Sequence, residues 1–147
     1  MNIRKLGLLF AATAIVVGAC SNTASTAPGG SGGTGGQSGA GCTVAVSWNN
    51  FQQPRWAAHD QPSIKKVVED AGGKYIDKDA NLSNEQQATD IDTLISQGAK
   101  VLIVLAQDTK AVLPAIAKAK AAKIPVIAYD RLIEDPTALY ITFDNVG

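Results

Sequence analysis

The sequence predicts an α/β fold: a doubly wound, Rossmann-like parallel sheet running from residue 42 to the end of the 147-residue chain. Three observations predict it. Short runs rich in β-branched and aliphatic residues alternate with amphipathic stretches of helical period. Two of those runs, "KVLIVLA" and "IPVIA", are apolar throughout, as strands covered on both faces must be. Capping residues or glycines bound the helical stretches, and strands alternating with helices of this length imply right-handed crossovers between parallel strands.

The first strand is "TVAVSW" (43–48), followed by a loop and a helix from Trp56 to Ala71 whose Ile64, Val67, Val68 and Ala71 share one face. Gly72-Gly73 ends that helix, and "KYIDKD" (74–79) reads as a second, weaker strand. Ser83, with Gln86 three residues later, makes a capping box for a second helix, which has Ile91, Leu94 and Ile95 as its apolar stripe and Gly98 as its stop. The third strand is "KVLIVLA" (100–106). Thr109 to Lys123 reads as a third helix, with Val112, Leu113, Ile116 and Ala119 inward and four lysines outward. Pro114 is tolerable there because it falls in the first turn. The fourth strand, Ile124 to Ala128, leaves the core at Asp130-Arg131, and "ALYITFD" (138–144) makes a fifth after a turn at Asp135-Pro136.

Residues 1–41 stand outside this pattern. Arg4 and Lys5 precede an apolar run, Leu6 to Val17, that is too short to span a bilayer, and Val17-Gly18-Ala19 offers small residues for cleavage. Residues 1–19 therefore read as an export signal. The stretch "VVGAC" resembles the lipobox of bacterial lipoproteins, which implies a lipid anchor to a membrane at Cys20. Residues 20–41 read as a Gly/Ser-rich tether with no fold of its own. Its glycines follow no strand, so they make no phosphate cradle. With Cys20 acylated, Cys42 is left without a partner in this sequence.

The 13 basic side chains balance the 13 acidic ones, so nothing in the charge calls for a nucleic-acid partner. The single histidine, His59, stands beside Asp60 in polar helical turns and reads as a surface residue. With no nucleophile elbow, no metal-ligand spacing and no nucleotide fingerprint, the sequence offers no catalytic residue, metal site or cofactor site, and an enzyme is not expected.

In parallel α/β sheets, ligands bind outside the carboxyl ends of the strands. That edge receives Asn49, Asn50, Arg55 and Trp56 after the first strand, Gln107 and Asp108 after the third, and Asp130 and Arg131 after the fourth. Arg, Asp and Asn present forked donors and acceptors that suit the vicinal hydroxyls of a sugar, and an indole offers a flat apolar face. A mixture of acids and bases also suits a neutral ligand better than bases alone. Two readings of Asp130-Arg131 stand at this point: a ligand-gripping pair, or a surface turn with a local ion pair worth little.

"VSWNNFQQPRW", "LISQGAKVLIVLAQD", "IPVIAYDRLIED" and "YITFDN", in this order and spacing, resemble the N-terminal lobe of periplasmic-binding-protein-type-1 sugar receptors, the D-xylose-binding group of ABC transporters above all. The resemblance runs from about residue 43 to the end, with "AYDR" and the upstream "RW" its most specific parts. It implies a lipid-anchored receptor, exported to the periplasm or the outer face of the cell membrane. Such a receptor captures a monosaccharide, D-xylose foremost, and delivers it to ABC permease subunits.

On the same resemblance Arg55 hydrogen-bonds the sugar, Trp56 stands beside it, Asp130 and Arg131 grip its hydroxyls, and Asn50 and Asp108 fall at neighbouring positions. Asn49-Asn50 replaces a pair of acids of the xylose receptors and Pro54 replaces a Glu, so glucose, galactose and arabinose stay open as ligands. The resemblance also implies a second lobe, which residues 42–147 do not supply. One lobe gives half the walls of a cleft, and a marginally stable, aggregation-prone fragment is the expectation. The alternatives are a sugar receptor feeding a chemotaxis or two-component sensor and, further off, a sugar-responsive repressor. An export signal where a repressor carries its DNA-binding helices argues against the last.

Overall fold

The computed structural model describes residue 39 and residues 41–143. The export signal, the lipid anchor at Cys20 and nearly all of the tether expected above lie outside the described residues. Five strands form one parallel sheet: β1 (Thr43–Trp48), β2 (Lys74–Asp79), β3 (Val101–Val104), β4 (Val126–Tyr129) and β5 (Leu139–Ile141), in the spatial order β2-β1-β3-β4-β5. The doubly wound α/β fold expected from the sequence is the fold observed. Strand order reverses between β1 and β3, and the crevice at their carboxyl ends is where such a sheet receives a ligand.

The register sorts the sheet into two unequal faces. Ala45, Leu102, Val104, Val126 and Ala128 point to one side and are at most 3% exposed. They pack under α2 (Asn84–Ser96) and α3 (Leu113–Ala121), with Ile91, Leu94, Ala115, Ile116 and Ala119 filling the layer between. The other side carries Val44, Val46 and Trp48 of β1, Ile103 of β3, Ile127 and Tyr129 of β4, and Leu139 and Ile141 of β5. Among the described residues the helix on this side is α1 (Gln61–Asp70), which packs against β2. Trp48, Trp56, Val46 and Leu105 are buried in a small cluster with Phe51, Ile64, Tyr75 and Tyr129 against it.

Several boundaries differ from the sequence expectation, each for a physical reason. The helix expected from Trp56 begins with a π-helical turn, Trp56–Asp60, in which Gln61 N–H donates to the Trp56 carbonyl, before α1 proper. Val67 is 69% exposed and not inward, because it borders an apolar cleft of about 440 Å³ between α1 and Val44, Val101, Ile103 and Ile127 that one helix does not fill. Strand β3 ends at Val104 although Leu105 and Ala106 stay buried. Leu105 N–H still donates to the Ser47 carbonyl, but the Leu105 carbonyl accepts from Gln87 Nε2 and that of Ala106 from Arg131 Nη1, so side chains take the acceptors of the ladder. Helix α3 starts at Leu113 because Asp108 Oδ1 accepts from the N–H groups of Lys110 and Ala111 and holds the preceding residues in turns. Pro114 sits in its first turn, as expected. The cap of α2 is half a capping box: Ser83 Oγ accepts from Gln86 N–H, whereas the Gln86 side chain turns forward to Asp90.

Candidate functional site

The carboxyl ends of β1, β3 and β4 converge as the sequence predicted, and the hub is Arg55. Its Nε donates to Asp60 Oδ2 at 3.1 Å and its Nη1 to Asp130 Oδ1 at 3.4 Å. The guanidinium carbon lies 4.3 Å from the centre of the Trp56 ring and 4.0 Å from that of Phe143, so aromatic rings stack on the cation. Desolvation works against the charge of Arg55, but the Tyr129 hydroxyl and the carboxylates of Asp60 and Asp130 outweigh it and raise its pKa. Burial, followed by the hydrogen bond its hydroxyl gives to Asp60 Oδ2 at 2.9 Å, likewise pushes the Tyr129 phenol up.

Backbone geometry places these groups. Arg55 and Asp60 are five residues apart, which in an α-helix leaves them on different faces. The π-helical turn between them closes its hydrogen bonds over five residues and brings the two side chains to one side. Asp130 has φ of +64°, a left-handed conformation that aspartate tolerates better than most residues, and its N–H bonds to the Ile141 carbonyl. That kink turns its carboxylate off the strand line toward Arg55. Asp130 and Arg131 take different partners, because Arg131 Nη1 donates to the carbonyls of Ala106 and Gln107 at 2.9 and 3.1 Å. Of the two readings left open, the local ion pair is therefore not the arrangement observed; each residue ties β4 to a different neighbour.

The remaining predicted residues are placed differently. Trp56 is 3% exposed beneath Arg55 and edge-on to Tyr129, so the indole offers no free face in this arrangement. Asn50 is 3% exposed, with its side-chain oxygen accepting from the N–H groups of Gln52 and Gln53, which shapes the loop leading to Arg55. Asn49 accepts from Asn50 N–H and donates to Gln107 at 3.4 Å. Asp108 is exposed, and the N–H groups of Ala111 and Lys110 hold its carboxyl below the usual range. Asp60, Tyr129 and Phe143 complete the cluster and were not singled out from the sequence. The available signal was the adjacency of Tyr129 to Asp130 in "AYDR". Among the described residues no group of three or more His, Cys, Asp or Glu side chains is placed to hold a metal ion.

Two donors stand out chemically. Arg55 Nη2 and Trp56 Nε1 are buried and have no hydrogen-bond partner among the described residues. Buried polar groups are nearly always paired, so such atoms mark where an acceptor belongs. Arg55 and Arg131 are matched by Asp60 and Asp130, which leaves the cluster without net charge.

Residues 44–147 match the periplasmic binding protein domain family. The chain belongs to that family. Relatives among periplasmic binding proteins include the D-xylose-binding periplasmic protein of Escherichia coli, 30% identical over 103 residues, covering 69% of this chain and 31% of the relative. A multiple sugar-binding periplasmic receptor of Rhizobium radiobacter is 33% identical over 109 residues, covering 70% of this chain and 29% of the relative. Among solved structures, an ABC transporter solute binding protein from Clostridium phytofermentans with bound β-D-glucose superposes with a TM-score of 0.65 at 33% identity, over 70% of this chain and 32% of that one. The chain thus spans about a third of the length of the periplasmic binding proteins it matches.

Proposed function

We propose that this chain supplies one sugar-contacting lobe of an exported solute-binding receptor, which captures a neutral monosaccharide, D-xylose foremost, and delivers it to an ABC permease. In this reading the receptor is held to a membrane through a lipid on Cys20, as the pattern "VVGAC" suggests, and performs no chemistry on its ligand. The observation that carries the proposal is the Arg55–Asp130 fork at the strand ends, with the buried Arg55 Nη2 still lacking an acceptor. A sugar hydroxyl can accept from that donor while giving its own proton to a carboxylate, and the neutral balance of Arg55, Arg131, Asp60 and Asp130 suits an uncharged ligand. Relatives named for D-xylose and for multiple sugars, and a solved structure holding β-D-glucose, support the class and leave the choice of sugar to experiment. Asn50 and Asp108 serve it from the loops, Asn50 by shaping the approach to Arg55 and Asp108 at the rim.

The test is calorimetric titration of D-xylose into the full-length receptor, with glucose, galactose, arabinose and ribose as competitors. Selective binding of D-xylose is expected. Arg55→Ala or Asp130→Ala should cost about 2 to 5 kcal/mol, because each leaves a partly buried charge without its partner. Failure to bind any pentose or hexose would remove the sugar reading, and an Asp130→Ala protein of unchanged affinity would remove Asp130 from the site.

A further inference from the structure

Asp60 belongs to no contact that the sequence pattern foretold, yet it is the acid closest to Arg55. Its Oδ2 accepts from Arg55 Nε at 3.1 Å and from the Tyr129 hydroxyl at 2.9 Å, and its side chain is 14% exposed against 39% for Arg55. The two bonds reach Asp60 from different elements: Arg55 opens the π-helical turn and Tyr129 ends β4. Asp130, the other acid on Arg55, binds Nη1 and leaves Nε to Asp60. With the faces of the guanidinium stacked by Trp56 and Phe143, four neighbours fix its plane, and Nη2 is the donor that none of them takes.

We propose that Asp60 is the positioning residue of this site: anchored by Tyr129, it holds Arg55 by Nε so that Nη2 is left for an acceptor on the ligand, and its charge keeps the site selective for uncharged over anionic sugars. This rests on the sugar-binding reading above. The physical reason is twofold. A forked guanidinium gripped at Nε has lost its rotational freedom before the ligand arrives, which lowers the ordering cost of binding. With Asp60 and Asp130 both bonded to it, Arg55 offers hydrogen bonds with little net attraction for a carboxylate ligand, and an anion entering the cluster meets acidic neighbours.

The experiment compares the full-length receptor with its Asp60→Asn, Asp60→Ala and Tyr129→Phe variants. One arm follows the Arg55 Nε–H signal by NMR on arginine-labelled protein without ligand. The other titrates D-xylose and D-glucuronate by calorimetry. Protection of the Arg55 Nε–H from solvent exchange is expected in the wild type and lost in Asp60→Ala, with the backbone amide spectrum otherwise retained; Tyr129→Phe should show an intermediate loss. D-xylose affinity should fall by about 10- to 100-fold in Asp60→Asn, the scale of one weakened charge-assisted hydrogen bond. Affinity for D-glucuronate should rise relative to that for D-xylose in the same variant. Undiminished protection in Asp60→Ala overturns the proposal while leaving the sugar reading intact, and so does an equal loss for both sugars, which a purely structural acid would give. A wild type that binds neither sugar, with protection still lost in Asp60→Ala, overturns the sugar reading and with it the selectivity, but upholds the hold of Asp60 on Arg55.

Discussion

Gln87 is 1% exposed, and its amide is fully engaged: Nε2 donates to the Leu105 carbonyl at 2.9 Å and to Ser47 Oγ at 3.2 Å, while Oε1 accepts from Gln107 N–H at 2.8 Å. One side chain of α2 thus ties together the ends of β1 and β3, the crevice beside which Arg55 works. Gln87→Leu keeps the volume but orphans a buried carbonyl and an N–H, at about 1 to 3 kcal/mol for each group left unpaired. A lowered urea midpoint with an unchanged m-value is the expected result, and an unchanged midpoint would show that water replaces the amide. Asp135 illustrates the pH dependence of a surface turn. Hydrogen bonds from the Thr137 hydroxyl, the Lys120 ammonium and the Thr137 N–H bring its pKa down from 3.8 to about 2. The folded form therefore holds its proton less tightly than the unfolded chain. What Asp135 adds to stability is present above about pH 4 and is lost as pH falls toward 2. Its carboxyl carbon, followed by NMR, should titrate near 2 in the wild type and near the ordinary value in Lys120→Ala/Thr137→Ala.

Between β2 and α2 the chain passes Asn81 and Leu82 at φ of +48° and +69°. Asparagine accepts this conformation, but a leucine there carries about 1 to 2 kcal/mol of strain, and its side chain is 47% exposed with little packing in return. Glycine would remove the strain at a cost of about 0.5 to 1 kcal/mol in backbone entropy, so Leu82→Gly should leave stability unchanged or raise it by up to about 1 kcal/mol. A clear drop in melting temperature would instead mean that Leu82 packs in solution. This connection shows where sequence reasoning stops. The strands, their order in the chain and the inward residues of α2 and α3 were legible, because period and apolar runs are local signals. The half-filled face under α1 was not legible, since Val67 sits on the apolar stripe of its helix whether or not the sheet beneath it is covered. The site divides the same way. The carboxyl-edge rule put Arg55, Asp130 and Arg131 at the strand ends, where they are found, whereas the contact of Asp60 with Arg55 was hidden because a separation of five is off-face in every α-helix and only the π-helical turn aligns it. Asn50 and Trp56 bear residue types suited to a sugar, and both are 3% exposed in this arrangement, a degree of burial that composition does not carry.

At the scale of the whole sheet, the two faces have different prospects. Under α2 and α3 the central sheet residues Ala45, Leu102, Val104, Val126 and Ala128 are at most 3% exposed, while on the side of α1 the stripe from Ile103 across Ile127 to Leu139 and Ile141 is only partly covered among the described residues, with Leu139 61% and Ile141 44% exposed. Parallel sheets are stable with both faces covered, so this one carries an apolar band, continuous with the cleft beside Val67, against which water is the poorer neighbour. Among the described residues β5 is an edge strand, with one side of its backbone unpaired along the same border. Residues 42–147 alone should therefore associate through this face, and their apparent stability should depend on protein concentration. Sedimentation velocity at several concentrations is the direct measurement, with species larger than the monomer growing as concentration rises. Val67→Gln combined with Leu139→Lys replaces exposed apolar groups and touches neither the buried layer nor Arg55, so it should restore a monomer at little cost to folding. A wild-type fragment that stays monomeric and melts sharply and reversibly at every concentration would show that the band is tolerated in water and does not drive association.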